Sequence, residues 1–277
     1  MTNERRLMAV LAHPDDESLG VGGTLAKYAA DGVDVVLVTA TRGGSGGFRG
    51  HRRGDEQHPG PQALATIREA ELRAAATVLG VREVSLLDYD DQQLDRADPP
   101  EIIGRIAAHV RRCRPDVVVT FGPDGAYGHP DHIAISQFTT AAVVAAADAA
   151  FNTGSEHSAG PHSVSKLYYL AWPESTWGGY QSAVKTLSSR VDGVERKANP
   201  WPEWAITTVI DTSDVWPIVW RAVSCHESQL AAYERLRDLP PEHHRMLWGK
   251  QSFYRAFSRV NGGRTRETDL FEGVVDL

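Results

Sequence analysis

Residues 7–18 read Leu-Met-Ala-Val-Leu-Ala-His-Pro-Asp-Asp-Glu-Ser. The run Leu7 to Leu11 is short and wholly apolar, the pattern of a parallel strand buried on both faces. His13, Asp15 and Asp16 follow it directly and so stand at its C-terminal end. Open α/β sheets place their ligand crevice at that edge. One histidine and two neighbouring carboxylates can supply two metal ligands and a base for a bound water. The segment lacks a third protein ligand. A second apolar run, Val117 to Phe121, leads through Gly122-Pro123-Asp124-Gly125 to Tyr127-Gly128-His129-Pro130-Asp131-His132. Strand, turn-rich loop and a helix starting near Pro130 fit that order. Two strands thus deliver polar loops to one sheet edge and assemble a His/Asp/His metal site with a position left for water. Taken alone, Asp15 and Asp16 read as helix N-terminal charges. Two such clusters at two strand ends favour the metal.

Strand-like and helix-like segments alternate around these motifs. Strands are expected at 7–11, 33–39, 83–87 and 116–121, with helices at about 18–31, 62–79, 100–113 and 131–150. Gly32 and Gly80 fall where C-cap glycines belong. This alternation predicts an α/β, Rossmann-like fold: a mostly parallel sheet with helices on both faces. The second half is less regular. A loop at 152–163 precedes a strand at 166–171, and a polar stretch covers 173–203. A strand follows at 205–210, then a helix capped by Asp211 or Ser213 and running to about 235, and a last helix near 242–259. No linker divides the chain. The expectation is one domain over 1–277, with a core at 1–150 and an elaboration at 151–277 that completes the sheet and the substrate pocket.

With 277 residues and a 42% hydrophobic content, the chain can bury a sizeable core. A net charge of −7 argues against nucleic acid as a partner. No apolar run is long enough to span a membrane. Residues 1–6 carry no apolar signal region, and two cysteines are too few for a disulfide framework, so a cytoplasmic protein is expected. Assembly into a homo-oligomer is left open. The Gly/Arg loop 42–60 lacks Gly-Lys-Ser/Thr and a prompt helix, so it is a poor nucleotide loop. Its four arginines are either solvated charge or a site for an anionic substrate. Trp172 and Trp177 are candidates for a pocket wall, against the commoner use of tryptophan in cores.

Ala12-His13-Pro14-Asp15-Asp16-Glu17 and His129-Pro130-Asp131-His132 resemble the two signatures of the PIG-L/LmbE-like zinc deacetylases. Arg68-Glu69 and Cys225-His226-Glu227-Ser228-Gln229 extend the likeness over most of the chain. Among family members it looks closest to the mycothiol-pathway GlcNAc-inositol deacetylases, the conjugate amidases and free-standing bacterial relatives. The resemblance implies removal of an N-acetyl group from an N-acetylglucosaminyl small molecule. It also implies Zn2+ on His13, Asp16 and His132, although Fe2+, Mn2+ or Co2+ suits the same donors. Asp15 is then the general base, Tyr127 helps polarise the carbonyl, and Arg68 and Asp91 contact the sugar. Two positions depart from the family: Gly43-Gly44 replaces a Gly-Glu pair, and Gln92 replaces the glycine of an Asp-Gly. From the residues themselves, His129 is an oxyanion stabiliser or general acid, with Asp131 hydrogen-bonding its ring and favouring the imidazolium. His226 is a substrate contact, a support for the site, or a buried helix histidine. The alternatives are an amidase for a larger N-acyl or thiol-conjugate substrate and, from another class, a nucleotide-binding Rossmann protein such as a glycosyltransferase.

Overall fold

The computed structural model describes residues 5–155, 159–183, 188–191, 193–263 and 265–274. Parts of two expected loop regions, 156–158 and 184–187, lie outside them. In chain order the first half comprises β1 (Arg6–Leu11), α1 (Asp16–Leu19), α2 (Gly22–Ala30), β2 (Asp34–Thr41), α3 (Pro61–Leu79), β3 (Glu83–Tyr89), α4 (Pro99–Cys113), β4 (Val117–Phe121), α5 (Gly125–Gly128) and α6 (Pro130–Ala147). The second half comprises β5 (Lys166–Leu170), α7 (Glu174–Ala183), β6 (Ser188–Val191), β7 (Val194–Lys197), β8 (Thr208–Asp211), α8 (Trp216–Cys225), α9 (Glu234–Arg237), α10 (Pro241–Trp248) and β9 (Lys250–Ser258).

Seven strands form one sheet in the order β3-β2-β1-β4-β5-β9-β8. The first five are parallel, and β9 and β8 add antiparallel strands at the far side. Strand β1 lies at the centre, paired to β2 on one side and β4 on the other. Leu7, Met8, Ala9 and Val10 are completely buried, which is why the run shows no polar alternation. The chain winds one way through β2 and β3, and the other way through β4 and β5. Right-handed crossovers therefore put α2 and α3 on one face and α6 on the other. In keeping with this, α3 packs on α8 while α4 packs on α6. The order reverses between β1 and β4, so their C-terminal loops flank the switch-point crevice.

Several boundaries differ from the sequence expectation. The helix expected at 18–31 breaks into α1 and α2. Helix α6 stops at Ala147, where buried Arg111 hydrogen-bonds the carbonyls of Ala145, Ala146 and Asp148. Such a cation at a helix C-terminus satisfies orphan carbonyls and opposes the dipole. Helix α8 ends at Cys225 rather than near 235, because His226 turns inward. The last expected helix gives way to α10 and then β9. Residues 250–258 pair with β5 on one edge and β8 on the other, and those tertiary partners decide their state.

The C-terminal segment is fixed by Glu267, which is 1% exposed. Its carboxylate accepts from Lys166 Nζ at 2.7 Å, Tyr168 Oη at 2.7 Å, Asn261 Nδ2 at 2.7 Å and Arg255 Nη1 at 2.5 Å. Burial opposes its ionisation, but Lys166, Tyr168 and Asn261 outweigh burial and hold the carboxyl at about 2. A folded value below the ordinary ~4.3 means stability that is present above that pH and lost as pH falls towards about 2. Glu267→Gln is expected to destabilise the protein by about 3–5 kcal/mol at neutral pH, because two buried cations lose their counter-charge. Thermal midpoints across pH check this: the gap between variant and wild type should narrow below pH ~4.3. A constant gap would remove the carboxylate's charge from the explanation.

Candidate active site

The register Leu7–Val117, Met8–Val118, Ala9–Val119 sets the ends of β1 and β4 side by side. His13, Pro14, Asp15 and Asp16 follow β1, and the loop after β4 carries Tyr127, His129, Asp131 and His132. Asp15 has φ 99° and ψ −24°, a left-handed conformation rare outside glycine. The kink turns the chain from the strand into α1 and buries Asp15 and Asp16 at the crevice floor.

Three side chains converge there. His13 Nδ1 lies 3.2 Å from His132 Nε2 and 3.6 Å from Asp16 Oδ2, and His132 Nε2 lies 3.4 Å from Asp16 Oδ1. Ligand atoms about 2.0–2.1 Å from a tetrahedral ion stand about 3.3–3.4 Å apart, close to these three separations, with Asp16 presenting one oxygen to each ring. Two imidazole nitrogens facing one another within a cluster of carboxylates suit a cation between them. The donor set fits a divalent metal. Asp16 is oriented by the His13 backbone N–H, which donates to Oδ2 at 2.7 Å. The His132 ring stacks on Phe121 with centroids 3.9 Å apart.

The opposite edge of His13 faces two more carboxylates. Its Nε2 is 3.0 Å from Asp131 Oδ2 and 3.2 Å from Asp91 Oδ1. His13, Asp91 and Asp131 form one possible donor cluster, and His13, His129 and His132 another. Asp131 already accepts the backbone N–H groups of Gln92 at 2.7 Å and Leu94 at 3.1 Å, so its oxygens are engaged. A carboxylate on the far nitrogen of a liganding histidine is a common support for metal sites. That leaves the Nδ1 edge of His13 as the candidate position for an ion. Gln92 has φ 65°, so a glycine would sit there without strain.

These contacts correct the expected pairing of Asp131 with His129. The Asp131 carboxylate reaches the His13 ring, and only its backbone N–H meets His129, donating to Nδ1 at 3.2 Å. With Nδ1 accepting, the proton of a neutral His129 sits on Nε2. Burial, then the neighbouring His13 and His132 rings, push His129 down to about 4, which favours a neutral N–H donor over the expected imidazolium. Tyr127 stands beside both rings, 5.8 Å from His129 and 5.3 Å from His132 by centroids. Burial and the Asp16 and Asp15 charges raise its phenol far above the usual range, so it keeps its proton.

Asp15 lies beside this group. Burial raises its carboxyl, an effect the Arg68 cation partly offsets and the Asp16 charge reinforces. Arg68 Nη2 sits 3.1 Å from Asp15 Oδ2 and donates to the Pro14 carbonyl, while Nη1 donates to the Gly43 carbonyl at 2.9 Å. Gly43 has φ 64°, and a Cβ there would collide with the Arg68 guanidinium. Asp91 accepts the Ser45 N–H at 2.8 Å as well as facing His13. Both expected sugar contacts thus lie at the site, with the two Asp91 oxygens and the two Arg68 Nη atoms engaged by protein groups. A polar cavity of about 530 Å³, lined in part by Asp91, Gln92, Ser45 and Arg42, opens beside them. Arg42 there pairs with Glu69 and Asp88.

His226 is fully buried, with Nε2 2.7 Å from Glu17 Oε1, a burial that leaves no surface for a substrate. Glu17 has no place among the site residues expected from the sequence. Its neighbours read as a helix start, and the partner that reveals its role is 209 positions away. Trp216, Trp220 and Trp248 gather around His244, whereas Trp172 and Trp177 stack at 6.0 Å.

The family model described as GlcNAc-PI de-N-acetylase, PIG-L, matches residues 8–143, from β1 into α6. A 1D-myo-inositol 2-acetamido-2-deoxy-alpha-D-glucopyranoside deacetylase of Kineococcus radiotolerans is 35% identical over 98% of this chain and 83% of its own. A deacetylase of the same name from Rhodococcus jostii is 36% identical over 98% and 99%. The solved structure of N,N'-diacetylchitobiose deacetylase from Pyrococcus horikoshii superposes with a TM-score of 0.66 over 91% of this chain and 83% of that one. At 21% identity this likeness shows the fold. Full-length similarity above 30% and a match spanning both strand-end motifs leave one conclusion: the chain belongs to the PIG-L family.

Proposed function

We propose that this protein is a metal-dependent hydrolase that removes the acetyl group from an N-acetylglucosaminyl small molecule. The observation that carries the reading is the triangle of His13 Nδ1, Asp16 and His132 Nε2 with the Asp15 carboxylate beside it. The names of the full-length relatives supply the substrate class. His13, Asp16 and His132 would hold the ion, with zinc first among the metals that N/O donors accept. Bound there, a divalent ion polarises the acyl carbonyl and makes water acidic enough to ionise near neutral pH.

The chain's own groups do the rest. Asp15, with a carboxyl raised by burial, takes the proton from the attacking water and returns it to the departing amine nitrogen. His129 offers its Nε2–H to the oxyanion as a neutral donor, and Tyr127 offers its phenol proton. Asp131 and Asp91 hold His13 in the tautomer that presents Nδ1. Arg68 fixes Asp15, and the polar cavity beside Asp91 accommodates the remainder of a hydroxyl-rich substrate. We read the chain as one domain, because β8 and β9 from its second half complete the sheet. No helix among the described residues is long and apolar enough to cross a membrane. The free Cys113 and Cys225 suit the reducing cytoplasm in which we place the protein.

The test is release of a primary amine and acetate from a panel of N-acetylated amino sugars, free and carrying polyol aglycones, by metal-loaded protein. Turnover is expected on the N-acetylglucosaminides. Cleavage only of longer acyl chains would favour the amidase reading, and no release from any member would overturn deacetylation.

A further inference from the structure

The Cys225–Gln229 segment has no part in the chemistry described so far, yet it is tied to the site more firmly than a surface turn. Glu17 is completely buried beneath the Asp15 turn. Its Oε2 accepts the Asp15 backbone N–H at 2.9 Å, and its Oε1 accepts Ser18 Oγ at 2.5 Å and lies 2.7 Å from His226 Nε2. The Nδ1 of His226 has no hydrogen-bond partner among the described residues, so the ring acts through Nε2. Two residues on, Ser228 gives its N–H and its hydroxyl to the two oxygens of Glu71, each at 2.7 Å. Glu71 lies one turn beyond Arg68 on α3, and Arg68 holds the Asp15 carboxylate. Gln229 Nε2 donates to the Gly47 carbonyl at 2.8 Å, and the Arg49 N–H donates to the Ser228 carbonyl at 2.7 Å. The contacts close a ring: Asp15, Glu17, His226, Ser228, Glu71, Arg68 and back to Asp15.

We propose that His226 is a positioning residue for Asp15, acting through Glu17. Asp15 needs this support because a left-handed backbone at a non-glycine residue is strained and persists only when its surroundings fix it. Arg68 pulls on the carboxylate from one side, and the Glu17–His226 pair holds the backbone N–H from the other. Without the His226 contact, Glu17 keeps a buried charge with one fewer donor and the turn loses its anchor. The inference rests on Asp15 being the general base, and the test separates the two.

His226→Gln and His226→Asn are compared in the full-length, metal-loaded protein. A glutamine can place an N–H where Nε2 stands, whereas an asparagine falls one methylene short. His226→Asn is expected to lower kcat by about 10–100-fold, the scale of a misplacement near 1 Å, with KM and metal content unchanged. His226→Gln should recover most of that loss. Amide exchange at residues 15–18 should quicken in His226→Asn and stay near wild type in His226→Gln. Added to Asp15→Asn, His226→Asn should lower kcat no further, because both act on one group. Unchanged exchange in His226→Asn, equal losses in the two variants, full additivity with Asp15→Asn, or loss of metal would each overturn the proposal. Should exchange behave as expected while Asp15→Asn keeps its turnover, the clamp stands and the base assignment fails.

Discussion

Asp15→Asn is expected to retain a full complement of metal and lose about 100- to 10,000-fold in kcat, with little change in KM. The substitution is nearly isosteric. Asparagine tolerates the left-handed backbone that Asp15 adopts, so the turn survives. The backbone N–H still donates to Glu17, and the amide oxygen can still face Arg68. His13, Asp16 and His132 are untouched. What disappears is a carboxylate beside the triangle that is neither among its corners nor bonded to His13 among the described residues. Steady-state kinetics and metal analysis on one preparation decide the matter. A kcat within tenfold of wild type would exclude Asp15 as the base, and loss of metal would make it a ligand.

His13→Ala is expected to reduce metal affinity by more than about 100-fold and turnover to background, since loss of an outer-shell partner alone commonly costs 10- to 100-fold. His13 is the corner on which the site depends most. In that reading it would supply a ligand atom at Nδ1, and its Nε2–H faces the carboxylates of Asp91 and Asp131. Burial opposes a cationic ring, but the hydrogen bonds to Asp131, Asp16 and Asp91 raise the pKa of the metal-free ring well above the ordinary value, so an ion at Nδ1 would displace a proton. Removing the ring leaves those carboxylates facing one another across a gap. Equilibrium dialysis against zinc measures the effect, and unchanged affinity would remove His13 from the ligand set.

The central site was legible because its residues are contiguous within two short motifs, each behind an unbroken apolar strand. Leu7–Leu11 and Val117–Phe121 declare themselves by composition, and parallel pairing then brings His13 and His132 together across 119 positions. What stayed hidden depends on partners chosen by the tertiary fold. Asp131 stands two residues from His129, yet its carboxylate bonds His13, 118 positions away. Nothing local signals that choice. The helix dipole and chain direction let the backbone of Asp131, not its side chain, meet His129. Residues 250–258 alternate weakly and follow a helix, so only the flanking β5 and β8 edges define them as a strand. The His226–Glu17 and Ser228–Glu71 contacts were equally invisible, since each joins a polar residue to another with no shared pattern.

The most direct test of the account is a metal titration followed by amine release. Protein stripped with a chelator is given increasing equivalents of zinc, and primary amine formed from an N-acetylglucosaminide is measured at each step. The account predicts no release without metal and a rise that saturates at one equivalent per chain. Undiminished release from fully stripped protein, or saturation only at several equivalents, would contradict a single His13–Asp16–His132 centre.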